Sequence, residues 1–345
     1  MRKLLITLVM AVAAAVLPRP AVAQQDKVLN LYAWSEYVPQ AVIDKFTQET
    51  GITVNYETYA SNEEMLSKLL AGAAPYDLVQ PSEYTVEALA REGLLAPIDK
   101  AKVPNLANID PRFLDMAHDP GNRYSVPWMA GTVGIVVNTE KVKEPVTGFK
   151  DVFSGKYAGR IVALDDAREL VTWALAAQGK DINTITPEVL EGVRPLLAGW
   201  MKQVKVYDSD SPKTALLNGE VDVGVVWSGE AAILHDEGGG KFAYVLPAEG
   251  THMFLDSLAI PKDAPHKDAA HAFINFVLRP DVSAMVSGEF PYTNPNVAAR
   301  KLLTPEQLAN PASYPPGNPK LGLFKDIGTV ASDIDELVTD LKSGG

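Results

Sequence analysis

The sequence predicts a two-domain α/β protein built on parallel sheets. Three observations carry that prediction. Short apolar or alternating runs are followed repeatedly by segments with helical spacing, and strand–helix–strand repeats imply a parallel sheet with helices on its faces. The length of 345 residues is more than one hydrophobic core usually organises. With 47% hydrophobic and 21% charged residues, the chain is globular in composition and not disordered.

The first segment is an address. Arg2 and Lys3 precede an apolar run from Leu4 to Leu17, and Ala21-Val22-Ala23 supplies a small-x-small exit. This is the pattern of a secretory signal peptide over residues 1–23, cleaved near Ala23. The alternative, a membrane anchor, fits poorly. The run is shorter than the roughly 20 residues that span hydrocarbon, and Pro18 and Pro20 interrupt its end. No later segment is apolar enough to cross a bilayer. The expected product is an exported, soluble periplasmic protein.

The elements then follow in order. Val28 to Trp34 alternates as a strand. Pro39 suits a first helical turn, Val42, Ile43 and Phe46 share a face, and Gly51 stops the helix. Ile52 to Tyr56 reads as a strand, and Asn62 as the cap of a helix that buries Met65, Leu66, Leu69 and Leu70. Tyr76 to Val79 is a short buried strand, with a helix over Val86 to Leu89 closed by Gly93. Beyond Pro127 come strands at Gly134–Asn138, Arg160–Leu164 and Val221–Trp227, with a helix from Glu169 to Leu175. A late strand at Leu258–Pro261 leads into a helix from Lys267 to Leu278 that buries Ala270, Phe273, Ile274 and Val277. The stretch Thr329 to Leu341 is helical. Gly238-Gly239-Gly240 reads as a loop tip.

Composition excludes several chemistries. With no cysteine there is no disulfide, thiolate zinc site, iron–sulfur cluster or cysteine nucleophile. A net charge of −12 argues against nucleic acid or anionic membrane as a partner and favours a cationic one. The five histidines, His118, His235, His252, His266 and His271, have no metal-ligand spacing and read as surface or packing residues. Asp208-Ser209-Asp210-Ser211-Pro212 faintly resembles a calcium loop, but Lys213 stands where the turn glycine belongs. There is no nucleophile elbow, dinucleotide fingerprint or phosphate loop, and no cofactor is implied.

Ligands of parallel sheets bind beyond the carboxyl ends of the strands. Polar and aromatic residues gather there repeatedly: Trp34, Ser35, Glu36 and Tyr37; Ser82 and Tyr84; Asp165, Asp166 and Glu169; Trp227 and Ser228. Asp256 and Ser257 stand immediately before the late strand. Four carboxylates (Glu36, Asp166, Glu169, Asp256) and several rings (Trp34, Tyr37, Tyr84, Trp227, Phe254, Tyr292) suit an extended organic cation. Each ammonium needs a carboxylate when it leaves water, and aromatic faces supply contact area and cation–π attraction. Each residue also has a plainer reading. Single rings at strand ends are more often packing, Asp165 or Asp166 caps the helix that follows, and Glu36 favours a helix start. A competing reading takes Asp166 and Glu169 as the acid–base pair of a secreted glycosidase.

These residues bring a family into view. The chain resembles the periplasmic substrate-binding proteins of polyamine ABC transporters, over nearly all of the mature sequence. The resemblance is carried by Leu31-Tyr32-Ala33-Trp34-Ser35-Glu36-Tyr37-Val38-Pro39, Tyr76-Asp77-Leu78-Val79-Gln80-Pro81-Ser82 and Asp165-Asp166-Ala167-Arg168-Glu169. It continues in Val226-Trp227-Ser228-Gly229, Asp256-Ser257-Leu258-Ala259-Ile260-Pro261, Phe276–Val282 and Asn296–Leu303. It implies a two-lobe periplasmic binding protein fold of type II-like topology with the ligand in the interdomain cleft. Lobe 1 is expected at 26–134 plus 255–300, and lobe 2 at 135–254 plus 301–345.

By the same resemblance, Trp34, Ser35, Glu36, Tyr37, Ser82 and Tyr84 line one wall. Asp166 and Glu169 hold an amine from the other lobe, Trp227 stacks on the ligand, and Asp256 binds an amine near the hinge. Ser209, Phe254 and Tyr292 complete the contacts. Three positions depart from the family pattern: Glu83, where an uncharged residue is usual; Phe324, where the spermidine type has glutamine; and the altered run Tyr292-Thr293-Asn294-Pro295-Asn296. Four acids suit three ammonium groups better than two, so spermidine is expected ahead of putrescine, although the lost glutamine contact pulls the other way and Phe254 stands where the putrescine type has phenylalanine and the spermidine type tryptophan. The implied role is capture of a polyamine by a monomer and delivery to an inner-membrane permease, with a putrescine-selective binder or a polyamine sensor as the alternatives.

Overall fold

Strand β1 (Val28–Trp34) forms because its inward residues Leu29, Leu31 and Ala33 are wholly apolar and fully buried. The structure, a computed structural model, describes residues 27–72 and 75–344. The signal peptide reading over 1–23 lies outside the described residues. The remaining strands are β2 (Thr53–Tyr59), β3 (Leu78–Val79), β4 (Ser125–Asn138), β5 (Ile161–Ala163), β6 (Val204–Tyr207), β7 (Val223–Trp227), β8 (Phe242–Val245), β9 (Thr251–Ala259) and β10 (Leu321–Gly322).

The sheet runs in the order β2-β1-β3-β9-β4-β7-β5-β6. β1 lies parallel to β2 and β3, and β5 lies parallel to β6 and β7. β4 and β9 run antiparallel to their neighbours in this order, and β10 pairs parallel with β9, so the sheet is mixed rather than purely parallel. β4 is buried along all of its length. Its first half, Ser125–Thr132, pairs with β9, and its second, Val133–Asn138, pairs with β7 and β8.

The apolar residues divide at the same place. One core gathers Leu31, Phe46, Leu78, Met129, Leu258 and Phe273. Another gathers Val133, Ile135, Phe149, Ile161, Trp173 and Val223. The change falls inside β4, between Met129 and Val133, so two α/β lobes share strands that cross between them.

The helices follow local chemistry. Helix Gln40–Thr50 starts after Pro39, buries Val42, Ile43 and Phe46, and ends at Gly51, whose φ of 70° lets its N–H reach the Thr47 carbonyl. Helix Asn62–Leu70 is capped by Ser61, not by Asn62: the Ser61 hydroxyl accepts from the Glu64 N–H. Asn62 is buried one residue further in. The terminal helix Val330–Ser343 packs Ile334, Leu337 and Val338 into the second core, and Lys342 pairs with Asp165.

Two strands are longer than the sequence reading. Pro127 does not bound β4 but lies inside it, at an irregularity in the register between Pro127 and Met129, where a missing N–H is tolerated. The late strand begins at Thr251 rather than Leu258. Asp256 and Ser257 therefore sit within a crossing strand, not ahead of one.

Candidate functional site

A narrow cavity lies where the lobes meet, with walls from both. The end of β1 supplies Trp34. The chain then turns at Glu36, whose φ of 54° places it in the left-handed region, and Tyr37 follows into the cavity wall. Ser82 comes from the end of β3 and Tyr84 from the first turn of helix Glu83–Arg91. From the second lobe come Asp166, Glu169 and Trp227. Residues two apart share a face of a strand, so β9 contributes His252, Phe254 and Asp256 together. Tyr292, Asn62 and Phe324 complete the lining.

The rings pack at set angles. Tyr37 lies 4.8 Å from Tyr292, and Phe254 meets Trp227 edge-on at 5.7 Å. Two glycines make this packing fit. A Cβ on Gly131 would sit 2.2 Å from the Phe254 ring, and one on Gly229 would sit 2.4 Å from Tyr292. Trp227 is oriented by its indole N–H, which donates to the Ser209 carbonyl at 3.0 Å.

The acids differ in what holds them. Asp256 is 2% exposed and accepts from the Tyr37 hydroxyl at 2.8 Å and the Ser82 hydroxyl at 2.6 Å. Burial pushes its pKa up to about 7 despite those donors. Asp166 caps helix Ala167–Ala177 by accepting from the Glu169 N–H at 2.9 Å. Burial, with Glu63 and Glu169 nearby, pushes its pKa up to about 8. Neither has a lysine, arginine or histidine within ion-pair distance among the described residues. Glu169 is 1% exposed and accepts from His252 at 2.5 Å and from the Trp173 indole at 3.1 Å. Burial resists a charge on His252, but Glu169 and Glu83 outweigh it and push the imidazole pKa up to about 9.

Ten of the thirteen residues singled out from sequence line this cavity: Trp34, Tyr37, Ser82, Tyr84, Asp166, Glu169, Trp227, Phe254, Asp256 and Tyr292. Ser35, Glu36 and Ser209 do not, and each has another task. The Ser35 hydroxyl donates to Asp210 at 2.6 Å, tying the two lobes. Glu36 accepts from the ammonium of Lys213 at 2.7 Å. Ser209 offers its backbone carbonyl to Trp227.

Four further residues line or support the cavity: Asn62 and His252, which the sequence reading did not place there, and Glu83 and Phe324, which it named as departures from the family pattern. Asn62 donates to the Ser82 hydroxyl at 3.1 Å and the Tyr84 hydroxyl at 3.0 Å. His252 and Phe324 stack at 3.5 Å with planes 8° apart. Glu83, wholly buried behind them, accepts from His252 and from the backbone N–H groups of Leu255 and Phe324. Alternation along Thr251–Ala259 is the signal that places His252 beside Phe254 and Asp256. Among the described residues no group of three or more His, Asp or Glu side chains is arranged to hold a metal, and no helix is long and apolar enough to cross a membrane.

Comparison with known proteins agrees with this architecture. The model of the bacterial extracellular solute-binding protein family matches residues 41–315. The spermidine/putrescine-binding periplasmic protein of Escherichia coli K12 is 40% identical over 328 residues, covering 93% of each chain. The putrescine-binding periplasmic protein PotF of the same organism is 33% identical, covering 88% of this chain and 87% of its own. A solved structure from Listeria monocytogenes, described as a spermidine/putrescine ABC transporter, superposes with a TM-score of 0.89 at 33% identity, over 92% of this chain and 100% of that one. With the fold, the cleft and these likenesses in agreement, the chain belongs to the bacterial extracellular solute-binding proteins, in the branch that holds the spermidine/putrescine-binding periplasmic proteins.

Proposed function

We propose that this protein captures a linear polyamine, spermidine or putrescine, in the periplasm and delivers it as a monomer to an inner-membrane ABC permease. One observation carries the reading. Asp166 and Asp256 line an aromatic cavity with no cation within ion-pair distance of either among the described residues, so each lacks a direct charge partner. Ammonium groups supply what is missing, and the methylenes between them lie against flat rings. Phe254, Trp227, Tyr37 and Tyr292 support the second half of that statement. The relatives' printed ligands support the first.

The act is closure without chemistry. The ligand touches both lobes at once and so favours the closed arrangement by differential contact. Asp166 and Glu169, paired in the glycosidase reading, are occupied otherwise: Asp166 caps a helix, and Glu169 is bonded to His252 and Trp173.

Calorimetry of the exported protein with spermidine, putrescine, cadaverine and maltose tests this. One polyamine per chain, with no heat from maltose, is the expected result. Absence of binding by every amine, or turnover of a glycan, overturns it. Native mass spectrometry of the freshly purified protein would weigh any ligand carried through and, in the same spectrum, locate the mature amino terminus.

A further inference from the structure

Two of the four acids singled out from sequence already hold a cation that belongs to the chain. At Glu36 it is Lys213. Its ammonium donates to Glu36 at 2.7 Å, to the Ser211 hydroxyl at 2.9 Å and to both oxygens of Glu230 at 3.0 Å. Lys213 sits in the second lobe and Glu36 in the first, so the pair crosses the cleft. Glu230 is 3% exposed and has no cation beside it other than Lys213 among the described residues.

At Glu169 the cation is His252. Its Nδ1 lies 2.5 Å from Glu169 and its Nε2 lies 3.0 Å from Glu83. Glu83 also accepts two backbone N–H groups, and Glu169 accepts the Trp173 indole, so both carboxylates act as acceptors. With a carboxylate facing each ring nitrogen, both nitrogens can donate, which favours the imidazolium. Phe324 lies flat on it, and the guanidinium of Arg168 lies 4.6 Å from the Phe324 ring centre.

We infer that Lys213 and His252 stand in for ligand ammonium groups at Glu36 and Glu169, so that the cavity takes a linear diamine, its two ammonium groups answering Asp166 and Asp256. A third ammonium would have to approach a carboxylate whose resident cation repels it. Each resident cation comes with an additional buried acid, Glu230 for Lys213 and Glu83 for His252. The pairs therefore add no net charge. They fill the two positions without weakening the general attraction for cations. The inference rests on the polyamine reading and narrows it to a class.

That neutrality shapes the test. The double variant Lys213→Met/Glu230→Gln leaves the net charge unchanged while vacating Glu36. The double variant Glu83→Gln/His252→Gln does the same for Glu169. Calorimetry at pH 7 with putrescine and spermidine is run on the wild-type protein and both variants, with circular dichroism to show that each is folded. The wild-type protein is expected to bind putrescine tighter than spermidine. Each variant is expected to raise spermidine affinity relative to putrescine more than threefold. Equal or tighter binding of spermidine by the wild-type protein overturns the inference, as does a ratio that moves threefold or less in a folded variant. If a variant does not fold, the wild-type ratio still decides. Failure of both amines to bind the wild-type protein would instead strike the polyamine reading itself.

Discussion

Asp256→Asn isolates one charge at the centre of the cavity. The side chain is 2% exposed and held by the Tyr37 and Ser82 hydroxyls, so an amide of the same shape has two rotating hydroxyls to meet it. What disappears is the anion opposite a ligand ammonium. Truncating one partner of a desolvated charge pair costs about 2–5 kcal/mol, which is roughly 30-fold to 5,000-fold in affinity at about 1.4 kcal/mol per decade. The empty protein should behave in the opposite sense. Burial raises the pKa of Asp256 to about 7, so keeping it ionised at pH 8 costs stability that asparagine does not. Calorimetry and thermal unfolding at pH 8 read the two effects separately. Affinity for putrescine and spermidine should fall at least 30-fold, while the melting temperature of the empty variant stays level or rises. Affinity within threefold of wild type for both amines would refute the placement of the ligand. A large fall in the empty protein's melting temperature would refute the claim that this acid is held at a cost.

Three further outcomes follow from the same geometry. The raised pKa values of Asp166 and Asp256 mean that the empty closed form keeps these protons up to about pH 7–8, whereas the complex needs both acids ionised; affinity should fall as pH drops from 8 to 5, and calorimetry in buffers of different ionisation enthalpy should detect proton release on binding at pH 6. Trp227→Ala removes a ring from the wall and should cost about 2 kcal/mol, or roughly 30-fold in polyamine affinity, on the same calorimeter. Phe273→Ala, fully buried and edge-on to Phe46 at 5.0 Å, should lower stability to urea by about 3–5 kcal/mol while leaving polyamine affinity unchanged at 25 °C.

The parts of this molecule that local chemistry governs are legible in its sequence. Pro39 and Gly51 bracket a helix because one ring presets φ and one missing Cβ permits the left-handed turn. Strand β1 delivers Trp34 and Tyr37 to the cleft because its alternation is strong. The extent of β9 is not legible in the same way. Buried Asp256 and Ser257 break the apolar run, and what makes the aspartate acceptable in a strand is partners from Tyr37 and Ser82, far off along the chain. His252 is hidden for the same reason: its two carboxylates, Glu83 and Glu169, stand on different elements and meet only in the fold. Lys213 reads as the residue that spoils a calcium loop. Its partner Glu36 stands in the other lobe, and no spacing rule joins them. Counting acids therefore gives the sign of the ligand's charge but overstates its number, because the count cannot see which acids the chain has already answered.

That distinction bears on how closure depends on ligand. Two of the contacts that tie the lobes without any ligand, Lys213 to Glu36 and Ser35 to Asp210, lie at the cleft rim, where the Glu36 side chain is 41% and the Lys213 side chain 15% exposed; Arg91 to Asp326 and the Phe324 N–H to Glu83 tie them elsewhere. Exposed pairs of this kind contribute about 0–1 kcal/mol each. Against them stands the cost of enclosing Asp256 with no cation beside it. Moving its pKa from 3.8 to about 7 corresponds to roughly 4 kcal/mol at neutral pH, and Asp166 adds to it in the same direction. The rim contacts alone do not offset that cost, so the empty closed form holds these acids protonated, and closure over both ionised acids is disfavoured without a ligand. A bound diamine removes the penalty at both positions at once. The unanswered carboxylates thus select the ligand and also oppose closure over an empty cleft with both acids ionised.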